Sequence, residues 1–171
     1  MKTTVVKTLA DVDWEIWQAK DLATLVFVIR DGKVLLINKK TGLGKGKINA
    51  PGGKVERDET PLACAVRECR EELGITVSKL EYCGQHRFQF VDGYSIHVWV
   101  YRTADYEGVP TESVEAKPLW VPLDEIPYEQ MWADDRLWIP MMLRGERFQG
   151  RWIFDGDKML DYELLSEAEA A

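Results

Sequence analysis

The chain has 171 residues, 46% of them apolar and 11% aromatic, enough to bury one full hydrophobic core. Its 22 basic and 29 acidic residues leave a net charge of −7 with no basic tract, which excludes the Lys/Arg footprint that long nucleic acid requires. No stretch is apolar enough to span a membrane and no signal-peptide pattern opens the chain. Cys64, Cys69 and Cys83 lack ligand-pair spacing, so a reduced, cytoplasmic setting is expected.

In chain order the pattern predicts mixed α and β. Residues 1–22 are ambiguous, since Val12, Trp14 and Ile16 alternate as in a strand while Trp14 and Trp17 also suit one helix face. Extra packing on the domain is the favoured reading. Thr24–Arg30 and Lys33–Asn38 flank Asp31-Gly32, a strong hairpin signal. Lys39–Gly53 reads as a Gly/Lys loop without Walker spacing, because Gly46-Lys47 is followed by Ile48. Beyond a helix beginning at Thr60-Pro61, Val77–Cys83 is expected as a short strand, and Arg87–Val91 and Ser95–Thr103 as strands around Asp92-Gly93. Trp120–Leu123 is expected to turn into a helix over Asp134–Leu143, and Phe148–Phe154 and Met159–Leu165 to form a closing hairpin at Asp155-Gly156. His86 and His97 fall in strands and show no metal-ligand spacing.

The helix after Thr60 carries the most chemistry. Thr60 suits the N-cap, Pro61 the first helical position and Gly74 a left-handed stop. At about 100° per residue, Leu62, Val66, Cys69 and Leu73 form one stripe expected to pack on the core. Glu68, Glu71 and Glu72 fall on the far side as mutual neighbours. Arg67 and Arg70 cannot neutralise all three, whereas a hard divalent cation with oxygen ligands would do so.

Between Gly53 and Ile75 the sequence GKVERDETPLACAVRECREELGI fits G-x5-E-x7-R-E-U-x-E-E-x-G-U, where U is bulky and apolar. Seven fixed positions at average usages near 7% recur by chance in fewer than about one chain in a million. The pattern is the Nudix box, and the chain resembles the Nudix hydrolases. One position departs slightly, with Cys69 standing where the family usually has an aliphatic residue; free Cys packs as a small hydrophobe. The resemblance implies an α/β fold, the Nudix α/β/α sandwich with a mixed β-sheet between helices. It implies that Glu68, Glu71 and Glu72 bind metal, one of them orienting or deprotonating water. It further implies that Arg67 fixes a carboxylate, that Glu59 is a supporting acceptor and that the carbonyl of Gly53 is a ligand. Mg²⁺ is the implied cofactor, with Mn²⁺ as its substitute.

Outside the box, the proline that the ADP-ribose subgroup carries about fifteen residues downstream is absent, Phe90-Val91 standing there. Segments from Ala23 to Leu165 instead resemble, in order, the MutT-homologue type that hydrolyses oxidised purine nucleoside triphosphates. That resemblance implies that Asn49, Asp134 and Asp135 read the purine edge, that Trp132 stacks on the base and that Trp138 is a second pocket aromatic. Thr24 and Lys39 are implied to line the pocket, Gly52 and Lys54 to contact substrate, and Glu115 to be a metal carboxylate from outside the helix. Leu43 and Ile48 replace aromatics, and Ala133 replaces a proline, so the base pocket departs from the pattern. Without the resemblance, helix cap and first-turn acid is the preferred reading of Asp134 and Asp135, and Trp132 and Trp138 suit a plain core.

The expected organisation is an N-terminal extension over 1–22 packed on the domain, a hydrolase domain over 23–165 and a frayed tail over 166–171. The expected activity is Mg²⁺-dependent hydrolysis of oxidised purine nucleoside triphosphates (8-oxo-dGTP, 2-hydroxy-dATP) to the monophosphate and pyrophosphate. This would sanitise the nucleotide pool, in a monomer with no membrane or long nucleic-acid partner. Two rivals stand: a Nudix enzyme acting on ordinary dNTPs or dinucleoside polyphosphates, and a sensor that binds nucleotide without cleaving it. The intact box speaks against the sensor.

Overall fold

Asp31 and Gly32 both take the left-handed conformation, at φ 54° and 75°, that a two-residue hairpin turn requires. In the computed structural model, which describes residues 5–170, they join β1 (Asp21–Arg30) to β2 (Lys33–Lys39). The segment expected as a loop contributes two short strands, β3 (Ile48–Asn49) on β2 and β4 (Gly52–Lys54) on β1. Helix α1 (Pro61–Leu73) begins at Thr60, whose side chain accepts the Ala63 N–H at 3.1 Å. It ends at Gly74, at φ 70°, whose N–H donates to the Arg70 carbonyl at 2.9 Å.

The strand expected over Val77–Cys83 is divided into β5 (Thr76–Ser78) and β6 (Glu81–Phe90), because Lys79 adopts φ 53° and breaks the extended path. β7 (Ser95–Thr103) follows, and β8 (Asp105–Glu107) pairs with β5. Trp120 lies within β9 (Ala116–Pro122), opposite Leu35 of β2, and not in a turn towards a helix. Strand pairing along Lys33–Lys39 satisfies that backbone, a non-local gain that turn signals do not announce. Helix α2 (Asp135–Leu143), β10 (Phe148–Asp155) and β11 (Lys158–Ser166) complete the main elements. The tail expected to fray carries one helical turn, α3 (Glu167–Ala170), with the Glu167 N–H on the Arg147 carbonyl at 2.9 Å; Ala171 lies outside the described residues.

These elements form two compact units. One comprises residues 23–82 and 99–132, with strand order β7-β1-β2-β3, β4 on β1 and β9 on β2. Helix α1 packs on β4, β5 and β9, and the core includes Val26, Val28, Leu35, Ile37, Cys69, Leu73 and Ile75. Of the expected α1 stripe, Cys69 and Leu73 are fully buried and Val66 partly so, while Leu62, in the first turn, is 48% exposed.

The other unit comprises, among the described residues, 5–22, 83–98 and 133–170, with strand order β11-β10-β6-β7. Its β6–β10 pair is parallel, which makes the sheet mixed. The core is aromatic, with Trp138, Phe148 and Trp152 around a fully buried His86. Residues 12–20 are neither strand nor helix. The Trp17 indole donates to Gln89 at 2.9 Å, and the Leu9 N–H donates to Asp161 at 2.9 Å.

Candidate active site

Helix α1 presents its acids differently from a solvated face. Cys64, Ala65, Glu68, Cys69, Glu72 and Leu73 are all buried, so the expected far side of the helix is half enclosed. Glu68 and Glu72 are 8% and 5% exposed. Together with Glu115 they can offer three carboxylate oxygens lying within 4.8 Å of one another. Glu71 stands apart from that trio, and its side chain keeps 48% exposure.

Arg67 ties the acids to the chain before the helix. It donates to both oxygens of Glu59 at 2.7 and 2.9 Å, to Glu68 at 2.9 Å, to Glu71 at 3.0 Å and to the Lys54 carbonyl at 3.0 Å. The hydrogen bonds from Arg67 hold the Glu59 carboxyl down at about 2, and its carboxylates hold the Arg67 guanidinium above its ordinary range. At Gly53 a Cβ would lie 2.5 Å from the Glu68 carboxyl carbon, so any larger residue would push that carboxylate out of its place. At Gly52 a Cβ would strike the Thr24 carbonyl oxygen, and the Gly52 N–H reaches Glu72 at 3.4 Å. The Gly53 carbonyl accepts from the Cys64 thiol at 3.5 Å.

Burial dominates the electrostatics. It raises Glu68 against the opposing pull of Arg67, and with the charge of Glu68 it pushes Glu72 up to about 8. Burial lowers Lys39, while the charges of Glu72, Glu68 and Glu115 pull its pKa back up. One lysine does not balance three carboxylates. A compact set of oxygen donors with excess negative charge fits a hard divalent cation. The Cys64 thiol is pushed up to about 11 by burial and is no nucleophile near neutrality.

The remaining expected substrate residues of this unit are dispersed around that centre. Thr24 is buried with its hydroxyl 3.4 Å from the Cys64 sulfur. Asn49 accepts the Ala50 N–H at 2.8 Å through Oδ1, which turns its amide donors outward from that bond. Lys54 is exposed. The Trp132 ring has the Lys47 ammonium 5.3 Å from its centre, and its indole nitrogen lies 2.8 Å from where a Cβ on Gly44 would stand. That support by Gly44 and Lys47 has no sequence signal, because it depends on how the 39–47 loop closes through the Gly46 N–H on the Lys39 carbonyl at 2.8 Å.

In the other unit, Asp134 and Asp135 are 2% and 3% exposed and Trp138 is wholly buried. Asp134 occupies the N-cap position of α2 but makes no side-chain cap bond. Its Oδ2 instead accepts the Trp138 indole N–H at 2.8 Å, and its Oδ1 has no hydrogen-bond partner among the described residues. Burial pushes Asp134 up to about 6, opposed by the Trp138 hydrogen bond. Trp138 packs 4.5 Å from His86, whose Nδ1 accepts the Trp152 indole N–H at 3.0 Å. Burial pushes His86 down to about 3, so it is a neutral core residue. Its link to Trp138 was not visible in the sequence, because residues 86 and 152 are brought near by the β6–β10 pairing and Trp138 by the packing of α2 on β10.

Comparison with known proteins agrees with this arrangement. The family model described as the NUDIX domain matches residues 19–142. The chain is 45% identical over 149 residues to the oxidized purine nucleoside triphosphate hydrolase of Danio rerio, covering 86% of this chain and 96% of that one. It is 41% identical over 145 residues to the protein of the same name from Mus musculus, covering 84% and 93%. The crystal structure of the MutT protein from Bacillus halodurans superposes with a TM-score of 0.76 at 29% identity, over 84% of this chain and 97% of that one. With the box in register on α1 and a mixed sheet in an α/β fold, the chain belongs to the Nudix family of hydrolases.

Proposed function

We propose that the chain hydrolyses oxidised purine nucleoside triphosphates, of the 8-oxo-dGTP and 2-hydroxy-dATP kind, to the nucleoside monophosphate and pyrophosphate. The carrying observation is the Glu68–Glu72–Glu115 trio beside Gly52, Gly53 and Lys39. Identities of 45% and 41% across most of two relatives carrying that substrate in their names support the substrate class.

Glu68, Glu72 and Glu115, with the Gly53 carbonyl, would hold Mg²⁺, or Mn²⁺ in its place. When bound, such an ion offsets phosphate charge and lowers the pKa of water. The chain supplies the rest by positioning and electrostatics, which carry most of the catalysis in phosphoryl transfer. Arg67 locks Glu68, Glu71 and Glu59 in one web, so the carboxylates are oriented before substrate arrives. Lys39 and Lys54 bring positive charge towards the triphosphate. A carboxylate of the α1 set takes the proton of the attacking water, the water oxygen bonds a phosphorus of the chain, and the P–O bond joining the nucleoside monophosphate to pyrophosphate breaks in line. Asn49, Asp134 and Asp135 read the base edge, Trp132 stacks on the base, and Trp138 acts through its bond to Asp134. The unpartnered Oδ1 of Asp134 supports this assignment. Residues 1–22 serve as packing, supported by the Trp17–Gln89 and Leu9–Asp161 bonds.

A nucleotide panel with pyrophosphate detection tests the proposal. Oxidised dGTP and dATP should exceed ordinary dNTPs and dinucleoside polyphosphates in kcat/KM. Equal turnover of ordinary dGTP would remove the substrate assignment, and binding without turnover would favour a sensor.

A further inference from the structure

Strands β6, β10 and β11 set two rows of side chains across one sheet face. The register places Arg151 between Arg87 and Glu163, and Gln149 between Gln85 and Leu165. These six residues line a groove of about 440 Å³, its open mouth included. Like charges directly opposite each other on neighbouring strands are destabilising. Here two guanidiniums share a row with one carboxylate. Glu163 answers Arg151 alone, across 3.7 Å, and the Trp14 ring lies 5.5 Å from the Arg151 guanidinium. Arg87 is partly buried, yet forms no ion pair and no side-chain hydrogen bond among the described residues. The Gln149 amide is likewise unused among them. Burial lowers Arg87, and the charge of Arg151 adds to that, so the repulsion is felt. Neighbouring His97 adds no positive charge near neutrality, because burial and Arg87 push it down to about 4.

We propose that this groove binds a small oxyanion of the phosphate class, with Arg87 as its main ligand and Arg151 and the Gln149 amide completing the set. Planar guanidiniums make paired, charge-assisted hydrogen bonds to phosphate oxygens, which suits two arginines side by side. Two guanidiniums against Glu163 leave one surplus positive charge, matched to a small anion. That carboxylate, and a net charge of −7, weigh against a long polyanion. The site does not depend on the hydrolase assignment.

The test is thermal unfolding of the full chain in EDTA, with inorganic phosphate or pyrophosphate against sodium chloride of matched ionic strength. Without a cation, the acidic trio repels phosphate, so the active site is silent. At about ten times its dissociation constant, an anion at this groove should raise the transition by roughly 3–5 °C. The two probes separate a single phosphate group from a diphosphate as the better occupant. Arg87→Gln should lose the rise while hydrolysing nucleotide at the wild-type rate. Gln149→Glu, which adds a carboxylate to the groove, should also lose it and should melt higher than wild type without phosphate. No rise in the wild type with either probe, or the same rise in both variants, overturns the site.

Discussion

Glu72 and Asp134 are both buried carboxylates with raised pKa values, yet they are left incomplete in opposite ways. Glu72 is surrounded by further acids, Glu68 and Glu115, and the Gly52 N–H reaches it only through a long hydrogen bond of 3.4 Å. Asp134 has a short bond from the Trp138 indole and no acid trio around it. Burial raises a carboxyl pKa in either case. What differs is the missing partner. The Glu72 cluster lacks positive charge, which a cation supplies, whereas Asp134 lacks one hydrogen-bond partner, which a substrate edge or a proton supplies. Under the proposed function, the first centre would hold an ion and the second would read the base.

Four measurements would break or sharpen that contrast. Glu72→Gln should cut kcat by at least about a hundredfold in saturating Mg²⁺, the scale of losing a main electrostatic contributor. The same change should raise the melting temperature of the metal-free protein, because it relieves carboxylate repulsion. Near-wild-type turnover would remove this face from the site.

Asp134→Asn should lower kcat/KM for the oxidised base by roughly 1–3 kcal/mol, the cost of an unsatisfied buried group. In the wild type, the preference for oxidised over ordinary dGTP should change through pH 6, where Asp134 passes from donor to acceptor. The Asn variant should show a flat ratio. A ratio that bends equally in both would make Asp134 scaffold.

The third measurement concerns pH and cation together. The folded-state pKa of Glu72 is raised from 4.5 to about 8, so a bound proton favours the fold. Its contribution is full below the unfolded value and is lost as pH rises through about 8. The metal-free melting temperature should therefore fall across that window. Mg²⁺ should raise it more at pH 8 than at pH 6, by roughly 3–6 °C, equivalent to about 1.5 kcal/mol. Equal increments at both pH values would show that the cation does not replace protons at the trio.

The smallest effect is expected from deleting residues 1–20. The loss of the Trp17–Gln89 and Leu9–Asp161 bonds should cost about 1 kcal/mol, or roughly 2–4 °C. Hydrolysis and the Mg²⁺ increment should persist. A stable but inactive truncation would give this segment a place in the site.

What the sequence revealed follows from where the information resides. The limits of α1 are local, since Thr60, Pro61 and Gly74 act within one turn, and the structure places the helix between them. The box placed Glu68 and Glu72 one turn apart, but their burial could not be read from it, because a run of glutamates on a helix is usually a solvated face with lysine partners. The approach of Glu115 to Glu68 and Glu72 is non-local, and only the resemblance pointed to it. Lys79 divides a strand through a left-handed φ that no glycine announces. Trp120 read as the start of a turn into a helix, whereas pairing with β2 holds it in a strand. The acids at 134 and 135 suited a helix cap by position, and the indole four residues on claimed the Asp134 side chain instead.

The Arg67 web has a consequence for how this gene can vary. Its five N–H groups meet five oxygens, two on Glu59 and one each on Glu68, Glu71 and the Lys54 backbone. Lysine would keep the charge, but its three donors leave a single nitrogen and cannot span acceptors on both sides of a planar fork. A substitution that chemistry tables score as mild should therefore dismantle the web, and no single neighbouring change should restore it, because the acceptors belong to four different residues.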